Sequence, residues 1–256
     1  MPIKKPKAQT AKPKSKSGKS AAGKHYLGWL DAPTGEAPQM TDAAFTKGIN
    51  WKIFRIMAEF IEGFEFLSKL KKEVTIFGSA RSTSNNRYYK IAKELGYKLG
   101  KKGYTVITGG GPGMMEAANW GATEAGAESV GLDIELTSAQ RRNQFVSKAI
   151  GFHYFFTRKV MLSASAQAYI YFPGGFGTMD EMTEMVTLIQ TNKIPRNVPV
   201  ILVGKDFWTP FLDWVNRTMC EEQRFIDKEE VAIMQVVDTA DEAIRIIDRT
   251  RERPFG

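Results

Sequence analysis

Twice in this chain a short apolar run breaks into clustered glycines and then into a helical pattern. From Thr108 the sequence reads TGGGPGMMEAAN, with Gly109, Gly110, Gly111 and Gly113 ahead of a helix expected from Met114; later it reads YFPGGFGTMDEM, with Gly174, Gly175 and Gly177 ahead of a helix expected from Thr178. Glycine at a strand-to-helix junction admits conformations closed to other residues and lets a ligand approach the backbone, while the following helix offers unpaired N–H groups and a positive dipole. Each loop can therefore cradle an anion. One such turn is often only a helix cap, but two at the carboxyl edge of one parallel sheet converge on the crevice where open α/β sheets bind ligands. Neither loop continues into Gly-Lys-Ser or Gly-Lys-Thr, which disfavours triphosphate hydrolysis. Neither opens the first βαβ unit as GxGxxG with an acid about 20 residues on, which weakens a dinucleotide reading. A nucleoside monophosphate suits them better.

The surrounding pattern supports the sheet. From residue 73, β-branched or aromatic runs at 74–78, 104–108, 129–134, 168–172, 198–203 and 234–237 alternate with amphipathic stretches at 88–101, 114–125, 157–165, 178–191, 207–220 and 240–251. That alternation predicts an α/β fold, a doubly wound, mainly parallel sheet with helices on both faces. The nucleotide-binding catalytic domain is expected to span 73–256, and 25–72 to form a linker and an N-terminal helix. Within it, Thr41 or Asp42 can cap a helix in which Ile53, Phe54, Met57, Phe60, Ile61, Phe64 and Leu67 recur at helical spacing. This stripe is expected to pack on the main domain or on a partner subunit.

A formal net charge of +8 invites a nucleic-acid hypothesis. The excess sits in residues 1–24, where Lys4, Lys5, Lys7, Lys12, Lys14, Lys16, Lys19 and Lys24 occur without an acid; the remainder holds 28 basic and 28 acidic residues. A Lys/Pro/Ser/Ala/Gly tail cannot bury enough apolar surface to offset its ordering entropy and is expected to be disordered. Solubility is its ordinary role, and any contact with RNA is expected to run through it alone. The tail lacks the apolar core of a secretory signal, so no secretory leader is expected, and no apolar run approaches the roughly 20 residues of a membrane span. With Cys220 as the one cysteine and His25 and His153 as the two histidines, neither a disulfide framework nor a metal centre is expected. No cofactor is expected, and the location is expected to be cytoplasmic.

The chemistry-bearing residues gather at the same edge. Asp180 and Glu181 follow the second loop, where an acid is either a helix-start preference or a group that acts on something cationic. Cleavage of an N-glycosidic bond passes through an oxocarbenium-like state that a carboxylate stabilises, or a carboxylate can activate the water. Arg158 and Lys159 start another helix; Arg158 stays charged and so suits binding and orientation, whereas Lys159 fits a solvated face equally well. Ser79 and Arg81 end the first strand and can reach a phosphate or ribose, unless Gly78 and Ser79 merely turn the chain. Met115 and Glu116 open the helix after the first loop and join the substrate-contact candidates. Met115 and Phe176 are also candidates for a base pocket, with core packing as the alternative.

Taken together, PGGFGTMDE at 173–181, GGGPGMMEAAN at 109–119, FFTRKVM at 155–161, FGSAR at 77–81 and TLIQTNKIP at 187–195 resemble the LOG (Lonely Guy) family. These are cytokinin riboside 5′-monophosphate phosphoribohydrolases, long labelled possible lysine decarboxylases, and the likeness covers roughly residues 50 to 240. It implies a Rossmann-like fold, a homodimer or larger homo-oligomer with the site near the subunit interface, and hydrolysis of AMP-type nucleotides to base and ribose 5-phosphate. It implies catalytic roles for Arg158 and Glu181, phosphate contacts for Gly174, Gly175, Gly177 and Thr178, and a weaker contact for Thr187. The FGSAR opening and the N-terminal helix resemble the longer bacterial-type branch. Where relatives of that type carry Pro and an acid after the third strand, this chain has IELTSAQRR at 134–142.

Pyridoxal-dependent lysine decarboxylation would need a Schiff-base lysine and an acid for the pyridine nitrogen, and no such constellation is recognisable. A non-catalytic nucleotide or cofactor carrier of the same fold is the stronger rival.

Overall fold

The computed structural model describes residues 42–135, 142–164 and 166–250. The lysine tail, Thr41 and residues 136–141 of the IELTSAQRR stretch lie outside them. Thr46–Gly256 form one compact unit; of the preceding unit, Met1–Phe45, the described part is Asp42–Phe45 at the start of the first helix.

Seven strands, one more than the sequence pattern predicts, form a wholly parallel sheet: β1 Glu73–Phe77, β2 Thr105–Thr108, β3 Ser129–Ile134, β4 Lys148–Phe152, β5 Ala168–Tyr171, β6 Val200–Val203 and β7 Met234–Val237. Their order is β4-β3-β2-β1-β5-β6-β7. The chain winds outward from β1 to one edge, then returns beside β1 and winds to the other. Loops leaving β1 and β5 therefore diverge, opening a crevice at the carboxyl ends of the strands. The unforeseen β4 is an edge strand whose sequence, KAIGF, alternates poorly and is half exposed. An edge needs to bury only one side, so the periodic signal is weak.

Central strands are buried on both sides, and their side chains alternate between two cores. On β5, Tyr169 and Tyr171 enter one core; Ala168 and Ile170 enter the other. The first core is covered by α4 Phe155–Ala164, α5 Phe176–Gln190 and α6 Lys205–Trp214, with Leu67 at the end of α1 Asp42–Leu67. The second is covered by α2 Arg87–Lys101, α3 Met114–Glu124 and α8 Ala240–Ile247. Helices on both faces make the sheet doubly wound and Rossmann-like. After α6 the chain continues as a π-helical stretch, Val215–Glu222, and the short α7 Lys228–Val231.

The apolar stripe of α1 divides: Leu67 is buried in the core, whereas Ile53, Phe54, Met57, Ile61 and Phe64 are exposed on the single chain. One expectation needs correction. Helix α5 starts at Phe176 rather than Thr178, because Gly175, extended at φ −94° and ψ −156°, is the N-cap. Asp180 and Glu181 therefore fall in the second turn, where the dipole effect has largely decayed.

Candidate active site

Both glycine loops and the end of β1 line one cleft of about 1330 Å³. Of the expected contact residues, Ser79, Arg81, Gly109, Gly110, Gly111, Met115, Arg158, Gly174, Gly175, Gly177, Thr178 and Glu181 are on its wall. The other candidates are not. Gly113 is spent on packing: at φ +73°, its position would set a Cβ 2.4 Å from the Ser79 carbonyl oxygen. Glu116 is half-buried and acts electrostatically on Tyr89. Lys159 reaches away to Asp180 (2.8 Å) and Glu184 (3.2 Å), so this lysine and Asp180 clamp α4 to α5. Thr187 lies a full helical turn beyond, in a separate shallow depression, its hydroxyl donating to the Thr183 carbonyl at 2.8 Å.

The two loops differ in what they leave available. At the start of α3 the Met114 N–H already donates to the Ser79 carbonyl (3.1 Å), and Gly113 is wedged on the same backbone. At the start of α5, Gly175 provides no side-chain cap, and Gly175, Gly177 and Thr178 line the cleft. The α5 terminus is therefore the stronger anion site. Gly174 allows this loop to close, since a Cβ there would lie 2.0 Å from the Thr178 hydroxyl oxygen.

The first loop is braced from below by a buried polar network that runs from its own motif to residues far along the chain. Thr108 donates to the Asn119 side-chain oxygen (2.7 Å), Asn119 donates to Ser129 (2.8 Å), and the Asn143 amide donates to the Gly110 and Gly111 carbonyls and to Asn119 at 3.1, 2.9 and 3.0 Å. Asn119 stands inside the quoted motif; Asn143 is 33 residues from Gly110 and can be found only in three dimensions.

Between the loops, Arg158 faces Glu181 at 3.5 Å, and both side chains are largely buried. Among the described residues, Arg158 Nε and Glu181 Oε2 have no hydrogen-bond partner, and neither has Asp133 Oδ1 at the end of β3. Asp133, also on the cleft wall, acts electrostatically on Arg158 and bonds Arg142 at 2.5 Å through Oδ2. Burial pushes the Glu181 carboxyl up to about 7, against the opposing pull of Arg158 and Lys159; Glu184 and Asp180 add to the rise. Burial also lowers the Arg158 guanidinium, while Glu181 and Asp133 raise it. Around this polar centre stand Phe155 and Phe176, the latter 94% exposed. Such a wall offers an anion cradle, a carboxyl group titrating near neutrality, a fixed cation and exposed rings.

A family profile described as Possible lysine decarboxylase matches residues 115–247, just over half of the chain. The cytokinin riboside 5′-monophosphate phosphoribohydrolase LOG of Oryza sativa subsp. japonica is 27% identical over 180 residues, covering 69% of this chain and 72% of that protein. Among solved structures, TM1055 superposes with a TM-score of 0.53 at 28% identity, over 70% of this chain and 99% of its own. The molybdenum cofactor binding protein of Rippkaea orientalis superposes with a TM-score of 0.52 at 21% identity, over 69% and 93%. That last likeness is one of fold alone.

Proposed function

The chain belongs to the Possible lysine decarboxylase family, the LOG family, and from that premise we propose that it is a nucleoside 5′-monophosphate phosphoribohydrolase. Its substrate is AMP or an adenine-modified relative such as a cytokinin riboside 5′-monophosphate. The observation that carries this reading is a buried carboxyl group, Glu181, facing a buried guanidinium beside an uncapped helix start in one cleft.

In the proposed reaction the phosphate rests on the backbone of Gly175, Gly177 and Thr178, and the ribose lies between Glu181 and Asp133. The C1′–N bond breaks with its electron pair on the base nitrogen; Arg158 lends positive charge and donors to that leaving group. Ionised Glu181 stabilises the oxocarbenium-like sugar and takes a proton from water as the water oxygen bonds to C1′. The proton then passes to the base, giving free base and ribose 5-phosphate. A carboxyl group titrating at about 7 is matched to that work near neutral pH. Met115, Phe155 and Phe176 supply apolar surface for the base.

Incubation with AMP and other monophosphates, with free base and ribose 5-phosphate assayed, tests the proposal. Product above a Glu181→Gln control supports it. The second reading, a non-catalytic carrier, is favoured by the size of the cleft, which exceeds the roughly 300–1,000 Å³ of most small-molecule sites. Tight binding without turnover would select it. We also propose a homodimer or larger homo-oligomer, supported by the apolar residues exposed on α1.

A further inference from the structure

Helix α1 precedes the sheet and contributes no residue to the cleft wall, yet one of its acids is buried. Glu59 is 8% exposed. Its carboxyl group does not face the cleft; it sits at the start of α4, accepting from the His153 N–H (2.9 Å), the Tyr154 N–H (3.4 Å) and the Thr157 hydroxyl (2.6 Å). A helix start has unpaired N–H groups and a positive dipole, so a carboxylate from another element is an effective cap there. One turn further along α1, Gly63 lets the helices approach: a Cβ there would lie 2.6 Å from the Met161 sulfur. Glu59 and Gly63 thus hold α4 at its first turn and at Met161, on either side of Arg158.

The next residue after Thr157 is the one that faces Glu181. Arg158 is one of two cations that oppose the effect of burial on Glu181; the other, Lys159, stands on the same helix, and the acids Asp180 and Glu184 stand on α5 itself. From β5, the Tyr171 hydroxyl donates to the Glu181 carbonyl. Around Glu59 the charged groups are Arg55 at 3.8 Å and, through Arg55, Glu135. Glu135 is also 3.7 Å from His153 Nδ1.

We propose that Glu59 is a positioning residue of the active centre: by gathering the His153 and Tyr154 N–H groups and the Thr157 hydroxyl, it fixes the start of α4 and holds Arg158 against Glu181. The inference rests on the reaction proposed above only for its kinetic arm. With Glu59 removed, α4 loses the anchor at its first turn, while Lys159 and Met161 still hold it further along; Arg158 loses its set distance, so the Glu181 carboxylate loses part of its nearest positive charge.

Three variants test it in the full-length protein: Glu59→Ala, Glu59→Gln, which keeps an acceptor for the backbone donors, and Thr157→Val, which keeps the packing but loses the hydroxyl. The first readout is the titration of the Glu181 carboxyl carbon by NMR in protein labelled at glutamate, assigned with Glu181→Gln. Its midpoint rises by about half a unit or more in Glu59→Ala and in Thr157→Val, and stays nearer the parent in Glu59→Gln. The second is AMP hydrolysis: kcat falls about tenfold or more in Glu59→Ala with KM within about threefold, the acid limb of the profile moves to higher pH, and Glu59→Gln recovers most of the rate. Should Glu59→Ala fail to fold, Thr157→Val carries both readouts. An unchanged Glu181 midpoint in folded Glu59→Ala or Thr157→Val overturns the proposal. A shifted midpoint in a protein that hydrolyses no monophosphate upholds it and removes only the proposed reaction.

Discussion

Glu181 is where chemistry and stability pull in opposite directions. Its carboxyl group holds a proton to about pH 7 when folded, against an ordinary value of 4.5, and the largest cause is burial. Between those values the folded state binds more protons than the unfolded one, so this group's contribution to stability falls as pH rises and is constant above about 7. The full span is about 3–4 kcal/mol at most, taking roughly 1.4 kcal/mol per unit. Glu181→Gln removes that dependence while leaving Arg158 without its partner. The second effect is nearly constant with pH, so the difference in Tm between variant and parent should move in the variant's favour from pH 5 to pH 8. Thermal denaturation across that range measures it, and a pH-independent difference would contradict the buried, proton-holding state. If the ionised form does the chemistry, kcat/KM of the parent should rise with pH through about 7. Such a cost in folding, at a carboxyl group in a cleft, is the usual signature of a functional site.

The first glycine loop depends on two conditions: a left-handed residue and a polar brace beneath it. Gly110 has φ +70°, and a Cβ there would fall 1.8 Å from Asp133 Oδ1. Gly110→Ala is therefore expected to displace Asp133 as well as to strain the backbone by about 1 kcal/mol or more, weakening nucleotide binding by more than its loss of Tm suggests. Asn143→Ala is the complement: the main-chain N–H of residue 143 still reaches the Gly110 carbonyl (2.8 Å), but the Gly111 carbonyl loses its buried donor, at a cost of about 1–3 kcal/mol, from a side chain that is itself off the cleft wall. Calorimetric titration with AMP beside thermal melts separates the two, and equal effects on affinity and stability in both variants would refute the distinction. The loops themselves were legible from sequence because glycine clusters between a strand and a helix have local causes. Central strands were legible because burial on both faces leaves continuous apolar runs. Edge strand β4 was not, for it buries one side only, and the start of α5 was misread by two residues because an uncapped Gly175 gives no side-chain signal. Asn143 and Glu59 escaped for another reason: their partners are distant in the chain, and no local pattern records a contact across 33 or 98 residues.

Over the whole molecule, α1 has two opposed surfaces. Its inner turn carries Glu59 and Gly63 against α4; elsewhere Phe54 and Ile61 are each 64% exposed, and Trp51 is 72% exposed. Contiguous apolar exposure on a helix is costly in water unless another surface covers it, because each square ångström left in contact with water forgoes about 25 cal/mol. A second copy covering this helix would bury the apolar residues and load the same helix that steadies Arg158, linking assembly to the geometry of the cleft. Phe54→Glu combined with Ile61→Glu should then lower the mass measured by light scattering toward that of a single chain. Neither residue is on the cleft wall, so a loss of AMP turnover that follows the loss of mass, and recovers at high protein concentration, would trace the coupling to the assembly. A mass unchanged by both substitutions would exclude this face of α1 as the subunit contact.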